Sequence, residues 1–111
     1  MKLNDETRQR LIQSAVEAAR WAYAPYSNYP VGAALITDSG RMYDGVNVEN
    51  AVYPLSICAE RVALFKSVSE GETKVEAIAV ATRNGGTPCG SCRQVLAEFQ
   101  EDMLVLMVNF E

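Results

Sequence analysis

The sequence predicts an α/β fold in three layers, α-β-α, in which a mixed β-sheet lies between helices on both of its faces. Three observations predict it: apolar residues at helical spacing near the N-terminus, short β-type runs around a polar turn at 38–40, and two nearly continuous apolar runs at 75–81 and 103–108. Continuous apolar runs of this length are typical of strands that are covered on both faces. The predicted order is helix, β-hairpin, helix, strand, helix, strand.

The first helix is predicted from about Asp5 to Tyr23. Asn4 is suited to be its N-cap, the acidic residues that follow suit the positive end of a helix, and Pro25 stops it. The residues expected to face the core are Leu11, Ile12, Ala15, Val16, Ala19, Ala22 and Tyr23.

The hairpin is predicted from an apolar run at Val31 to Thr37, a turn at Asp38-Ser39-Gly40 and a second extended run at Arg41 to Val48. A second helix should run from about Ser56 to Ser69, with Gly71 just past its end. Its inward-facing residues are expected to be Val62, Ala63, Phe65 and Val68.

The second half of the chain continues with a strand at 75–81, a loop at 84–88, a third helix and a strand at 103–108. One face of the third helix is marked by Cys92, Val95, Leu96 and Phe99. The two connections through helices should be right-handed crossovers between parallel strands. With no linker or repeat, these elements predict a single domain over residues 1–111.

Composition argues against several classes of function. The apolar fraction of 49% and the charged fraction of 22% are ordinary for a soluble globular protein, and a net charge of −4 argues against binding to a nucleic-acid backbone. The apolar runs are too short to span a bilayer, and no signal-peptide pattern opens the chain. An odd number of cysteines fits a reducing compartment. We therefore expect a cytoplasmic protein with neither a nucleic acid nor a membrane as partner.

The three cysteines suggest a metal site. Cys58 stands in Cys58-Ala59-Glu60, whereas Cys89 and Cys92 form a Cys-x-x-Cys pair, and the chain has no histidine. Because a closed structural zinc site needs four ligands, a zinc ion on these three thiolates would keep one position open for water or substrate unless a carboxylate filled it. Each cysteine stretch is predicted at a helix N-terminus, where the helix dipole favours the thiolate form that binds metal.

Glu60 is the natural general acid-base for such a site. It follows Cys58 by two residues, so in the first turn of the helix it can lean over the open face of the metal. Arg61 and Arg93 each follow a cysteine stretch directly and could donate hydrogen bonds to the thiolates, which would offset the charge of −1 on zinc with three thiolates.

Simpler interpretations remain open at this point. A cysteine is often a core residue, a Cys-x-x-Cys pair can be redox-active, and Glu60 can be a solvated helix charge. Asn47 and Glu49 can be polar groups at a turn and a strand end, and aromatic residues such as Tyr29 can belong to the core or to an interface. A redox protein would carry a Cys89–Cys92 disulfide and no metal.

Two motifs resemble the zinc motifs of the cytidine deaminase family, in its small homotetrameric form. They are Cys58-Ala59-Glu60-Arg61 and Pro88-Cys89-Gly90-Ser91-Cys92-Arg93-Gln94. Two further segments also resemble that family, and with them the likeness covers nearly the whole chain: Tyr23-Ala24-Pro25-Tyr26-Ser27-Asn28-Tyr29-Pro30-Val31-Gly32-Ala33-Ala34 and Gly45-Val46-Asn47-Val48-Glu49-Asn50-Ala51.

The resemblance implies the family's fold, one zinc ion per chain and a reaction of pyrimidine salvage. In that reaction zinc hydroxide attacks C4 of cytosine, Glu60 protonates N3 and then the departing amine, and cytidine or deoxycytidine becomes uridine or deoxyuridine plus ammonia. By the same resemblance Asn47 and Glu49 hydrogen-bond the ribose hydroxyls, and Tyr29 stands where the family has a phenylalanine that stacks on the pyrimidine.

The resemblance also implies a homotetramer in which subunits share each active site, with the segment Ala51-Val52-Tyr53 reaching a neighbour. Relatives continue with another strand and a C-terminal helix, whereas this sequence ends at Asn109-Phe110-Glu111, and its loop before Pro88 looks short for the family. The run at 103–108 is therefore expected to be an apolar sheet edge that needs cover from a partner.

Two other functions are weighed against deamination of cytidine. The same chemistry could act on another cytosine-bearing nucleoside of the antibiotic type or on a base in single-stranded nucleic acid, although Asn47, Glu49 and the acidic balance argue against the polynucleotide. A non-enzymatic, zinc-stabilised assembly module would unfold on zinc loss and would show no turnover that Glu60→Gln could change.

Overall fold

A mixed four-stranded sheet lies at the centre of the part of the chain that the computed structural model describes, residues 4–52, 57–83 and 104–110. The strands are β1 (Gly32–Thr37), β2 (Met42–Val46), β3 (Val75–Thr82) and β4 (Leu104–Asn109), in the spatial order β2-β1-β3-β4. β1 is antiparallel to both β2 and β3, whereas β3 and β4 are parallel. The predicted hairpin and mixed sheet are confirmed.

The helices pack on opposite faces of this sheet, as predicted. Helix α1 (Asp5–Ala18) contributes Leu11 and Ala15 to a cluster with alternate residues of β1 and β3. Helix α2 (Ala59–Ser69) contributes Ala59, Ala63 and Leu64 to a second cluster, built on the other set of alternate residues. Because side chains alternate along a strand, the two clusters cover the two faces, and the two interior strands are buried except at the half-buried Glu76 of β3.

Helix α1 begins as predicted but ends early. The Asn4 side-chain oxygen accepts a hydrogen bond from the Thr7 N–H at 2.8 Å, which confirms the N-cap. The prediction of helix up to Tyr23 is wrong, because the chain tightens into a 3₁₀ turn at Ala19–Trp21 and is extended at Ala22. Tyr23 leaves the helix because its N–H and carbonyl pair with the backbone of residues 47 and 49, and its side chain is 57% exposed rather than in the core.

Helix α2 starts later than predicted, and a different set of its residues is buried. It begins at Ala59 with Cys58 as N-cap, not near Ser56, because Ile57 is paired to Val48 in a β-bridge. That anchor sets the helix phase so that the buried residues are Ala59, Glu60, Ala63, Leu64 and Ser67. Phe65, predicted to face the core, is 44% exposed.

The C-terminal end of α2 agrees with the prediction. Gly71 adopts φ +84°, a left-handed conformation that glycine accepts without a steric penalty. The N–H groups of Gly71 and Glu72 donate to the carbonyls of Val68 and Ser67, which completes the last turn.

Two glycines allow the helices to approach the sheet closely. A Cβ on Gly32 would lie 2.0 Å from the Ala15 carbonyl oxygen of α1, and a Cβ on Gly45 would lie 2.5 Å from the Ala63 nitrogen of α2. Neither helix could lie this close to its strand if the glycine carried a side chain.

Strand β4 is the outermost described strand of the sheet. Leu106 and Val108 pack towards the α1 cluster, while Leu104, Val105 and Met107 are 40%, 37% and 51% exposed. In the part of the chain that the structure describes, β4 therefore presents exposed apolar side chains at one end of the sheet. No helix within the described ranges is long and apolar enough to cross a membrane. The predicted loop at 84–88 and the third helix lie outside the described residues, and the handedness of the crossovers stays a prediction.

Candidate active site

The segment 47–49 joins the two parts of the candidate site. Val48 forms a parallel bridge with Tyr23 on one side and an antiparallel bridge with Ile57 on the other. The Val48 N–H donates to the Ile57 carbonyl at 3.0 Å, and the Ile57 N–H donates back at 2.9 Å. The loop that starts at Tyr23 and the N-terminus of α2 are thereby fixed to a single stretch of backbone.

Cys58 and Glu60 stand at that helix N-terminus. Cys58 is the half-buried N-cap residue with extended backbone, and Glu60 is in the first helical turn with only 3% of its surface exposed. A glutamate is almost never buried to this extent unless it is paired or functional. This placement fits the chemistry of a thiolate ligand with an acid-base beside it, since the helix N-terminus favours both negative groups.

The remaining residues of the predicted metal centre are only partly described. Cys89, Cys92 and Arg93 lie outside the described residues, and Arg61 is half-buried on α2. Within residues 4–52, 57–83 and 104–110 no three potential ligands come together, and only one of the three predicted thiols lies in those ranges. Cys58 thus represents the described part of the donor set, and its thiol chemistry fits zinc, while Glu60 stands beside it as the candidate acid-base.

The Asn47 amide is held by the backbone on both sides of Pro30. Its Oδ1 accepts from the Val31 N–H at 2.9 Å and its Nδ2 donates to the Tyr29 carbonyl at 2.9 Å. A side-chain amide has two hydrogens and an oxygen with two lone pairs, so one donor and one acceptor position stay open to a ligand.

The Glu49 carboxylate is held by the loop at residues 26 and 27. Oε1 accepts from the N–H groups of Tyr26 and Ser27 at 3.0 and 3.1 Å, and Oε2 accepts a hydrogen bond from the Ser27 hydroxyl. The hydroxyl bond is the main cause that lowers the pKa of Glu49 below its ordinary value, and the two backbone bonds add to it against a partial desolvation. These bonds leave Oε2 with a lone pair for a further donor.

Tyr29, predicted to stack on the base, is half-buried and lies beside a cation. The guanidinium carbon of Arg83 is 5.9 Å from the centre of the Tyr29 ring, which is within the range of a cation–π contact. Arg83 directly follows β3, so the end of that strand contributes a positive charge to the region of the predicted base site.

Sequence reasoning missed Ser27 and Arg83. Ser27 lies inside a segment that carries the family likeness, but serine is common in turns and nothing local indicated a glutamate partner 22 residues away. Arg83 carries no motif, and only the sheet brings it to Tyr29.

Comparison with known proteins decides the family. The family model described as the cytidine and deoxycytidylate deaminase zinc-binding region matches residues 5–108. The chain belongs to this deaminase family. A cytidine deaminase from Sporosarcina psychrophila is 48% identical over 106 residues, which cover 93% of this chain and 78% of that protein. One from Halalkalibacterium halodurans is 54% identical over 93 residues, 82% of this chain and 70% of that protein.

Solved structures agree with this family and confirm the fold. The crystal structure of the cytidine deaminase from Burkholderia pseudomallei matches with a TM-score of 0.88 and 46% identity, covering 95% of this chain and 87% of that one. That of Mycobacterium tuberculosis matches with a TM-score of 0.83 and 40% identity, covering 88% and 82%. The α/β deaminase fold predicted from the sequence is therefore confirmed, and the family's zinc-binding character extends to this chain.

Proposed function

We propose that this chain is a zinc-dependent cytidine deaminase, a hydrolase that converts cytidine and deoxycytidine to the corresponding uracil nucleosides and ammonia within one catalytic domain, residues 1–111. Membership of the family and the names of its relatives support this activity. The observation in the structure that carries the proposal is the burial of Glu60 two residues after Cys58, at the N-terminus of a helix.

Cys58, Cys89 and Cys92 would hold one zinc ion per chain. Bound zinc would supply the Lewis acidity that activates a water molecule at neutral pH. Arg61 and Arg93 would donate hydrogen bonds to the thiolates and reduce their excess negative charge.

Glu60 would carry the protons. It accepts a proton from the attacking water and delivers it to N3 of cytosine, and it then takes the proton of the new C4 hydroxyl group and delivers it to the amino group. The water oxygen becomes bonded to C4, the C4–N bond breaks, and ammonia leaves. Burial of Glu60 suits this role, because a carboxyl group shielded from bulk water exchanges protons with the substrate rather than with solvent.

Asn47, Glu49 and Tyr29 would bind the nucleoside. The open amide positions of Asn47 and the remaining lone pair on Glu49 Oε2 can pair with hydroxyl groups of the sugar, whereas the Tyr29 ring offers a face to the pyrimidine. A nucleoside lacking these hydroxyls would leave both polar groups unsatisfied, which favours nucleosides with free hydroxyls.

The proposal also includes the oligomeric state and the location of the protein. The chain would form a homotetramer whose subunits share active sites, and it would act in the cytoplasm. Tyr26 is 62% exposed and Val52 57% exposed, and both lie on segments beside the candidate site, where apolar exposure suits a subunit contact. Thiolate ligands also require a reducing compartment. Light scattering after size exclusion tests the oligomeric state, and a monomer would contradict it.

The decisive experiment measures zinc content and cytidine turnover for the wild type and Glu60→Gln, with Glu70→Gln as control at the exposed end of the same helix. We expect zinc in all three proteins and a loss of turnover of about 100-fold or more in Glu60→Gln alone. Zinc without turnover of cytidine or deoxycytidine in the wild type would favour another cytosine-bearing nucleoside or a non-catalytic module. Absence of zinc would contradict the proposal.

A further inference from the structure

The Ser27 hydroxyl connects Glu49 to the backbone of Tyr29. Its oxygen accepts a hydrogen bond from the Tyr29 N–H at 3.1 Å, and its single hydrogen is donated to Glu49 Oε2. A hydroxyl group has one hydrogen, so Ser27 has none left for a substrate while it makes this bond. Its described contacts are therefore directed at the residues proposed to bind the substrate.

The loop that starts at Tyr23 holds Glu49 both at its backbone and at its carboxylate. Its backbone N–H donates to the Tyr23 carbonyl at 2.9 Å, and its Oε1 accepts from the N–H groups of Tyr26 and Ser27. A glutamate side chain outside the core normally samples several rotamers, and ordering it costs conformational entropy. Here the hydrogen bonds from the loop already order the Glu49 carboxylate in the absence of a ligand. The Ser27 hydroxyl is the group that holds Oε2.

We propose that Ser27 is a positioning residue for sugar recognition, which holds the Glu49 carboxylate in the rotamer that accepts a hydrogen bond from a hydroxyl group of the nucleoside. This inference rests on the proposed function, which assigns Glu49 to the sugar. The preference for nucleosides with free sugar hydroxyls then depends on Ser27, which acts through Glu49 and does not itself contact the sugar.

Ser27→Ala tests the proposal, with Ser39→Ala as a matched control. Ser39 likewise donates a hydrogen bond to a glutamate, Glu72, but in the β1–β2 turn, outside the loop that holds Glu49. For Ser27→Ala we expect the KM for cytidine and the inhibition constant of uridine to rise about 10-fold, with kcat changed less than about threefold. Ser27→Thr, which keeps the hydroxyl, should restore most of the affinity, and Ser39→Ala should resemble the wild type.

The inhibition constant of 2′,3′-dideoxyuridine separates positioning from a general structural role. That compound lacks the hydroxyl groups that Glu49 would accept from, so Ser27→Ala should change its inhibition constant by less than about twofold. A loss of general loop structure would weaken uridine and dideoxyuridine equally, and that result would overturn the proposal.

A double-mutant cycle with Glu49→Gln tests whether Ser27 acts through Glu49. If it does, Ser27→Ala should cost much less in the Glu49→Gln protein than in the wild type, because the positioned group is already altered. Additive losses would overturn the inference. A wild type that binds neither cytidine nor uridine would instead refute the proposed function, and this inference with it, whereas an active wild type with a silent Ser27→Ala refutes this inference alone.

Discussion

Three glutamates in this chain have different environments, and their partners decide what each can do. Glu60 is buried in the first turn of α2, whereas Glu49 and Glu72 are each held by hydroxyl groups in turns. Glu72 accepts from Thr37 at 2.6 Å and from Ser39, which ties the β1–β2 turn to the segment after α2. Its role is structural. Like Glu49, Glu72 accepts a hydrogen bond from a serine hydroxyl, but it does not belong to the candidate active site.

Glu72 should contribute stability that depends on pH. The hydroxyl groups of Ser39 and then Thr37 lower the pKa of Glu72 below its ordinary value of 4.5. A carboxyl whose folded pKa is lowered stabilises the fold above its unfolded pKa, and the contribution is lost as pH falls through the folded pKa. The melting temperature of Glu72→Gln should therefore be below that of the wild type at neutral pH, and the gap should narrow as the pH falls below 4.5 and through the lowered pKa of Glu72.

Thermal melts by circular dichroism across this range measure that gap, with Glu70→Gln as control. The Glu70 carboxylate forms an exposed ion pair with Arg41 at 3.7 Å, and a pair of this kind contributes little to stability. A difference between Glu72→Gln and the wild type that persists unchanged in acid would contradict the assignment.

Asn47 should stabilise the fold as well as bind substrate. Asn47→Asp keeps an acceptor for the Val31 N–H but replaces the donor to the Tyr29 carbonyl with a carboxylate oxygen. Setting an acceptor against an acceptor in a half-buried site should lower the free energy of unfolding by about 1–3 kcal/mol. Urea denaturation measures this loss, and an unchanged midpoint would show that the amide does not hold the two backbone stretches together.

At the scale of elements, the close approach of α2 to β2 positions the candidate site. Lys66 of α2 reinforces the contact by donating to both the carbonyl and the carboxylate of Asp44, at 2.7 and 2.9 Å. The pair is about half exposed on both sides and adds little energy by itself. The absence of a side chain at Gly45 is the more stringent requirement, because the obstacle there is helix backbone, which cannot rotate away.

Gly45→Ala should displace the N-terminus of α2. The new methyl group would lie 2.5 Å from the Ala63 nitrogen and 2.6 Å from the Ala59 oxygen. Overpacking of this kind costs about 1–3 kcal/mol or more, and the shift should also reduce zinc content because Cys58 caps this helix.

Gly71→Ala is the control for Gly45→Ala, since no atom lies within 4 Å of a Cβ there and only the left-handed φ is strained. It should cost about 1 kcal/mol and leave zinc content unchanged. Equal zinc loss in both variants would mean that α2 is not held through Gly45.

At the scale of the whole molecule, the two sides of strand β4 differ: one side packs against the α1 cluster, and the other is exposed. Leu106 lies against the α1 cluster, whereas Met107 on the opposite side is 51% exposed. An apolar edge strand of this kind is an aggregation liability in an isolated subunit.

Met107→Lys should reduce aggregation without a loss of stability, whereas Leu106→Lys should lower the free energy of unfolding by about 1–3 kcal/mol, because the half-buried Leu106 loses its apolar contact with the α1 cluster. Turbidity during heating measures the first effect and urea denaturation the second. A Met107→Lys protein that is destabilised or changes its oligomeric state would show that this face is covered by another subunit.

The sequence by itself determined the types of the described elements, the mixed α/β class, the helices on both sheet faces and the family. Hydrophobic periodicity reports which neighbours along the chain are buried, and that was enough for the hairpin, for β3 and β4, and for the N-cap at Asn4. The zinc and glutamate motifs are local in sequence and identify the chemistry, although the ligand and substrate roles stay proposals.

Only the tertiary structure decided where α1 ends, which side of α2 faces the sheet, and how Ser27 meets Glu49. Tyr23 leaves its helix and α2 turns Glu60 inward because backbone pairing of Val48 with Tyr23 and Ile57 outweighs the local helical preference. Such pairings join residues far apart in the chain, and their register follows from the packed sheet. Periodicity contains no information about that register, so it could identify the elements of this protein but not the contacts that hold its carboxylates in place.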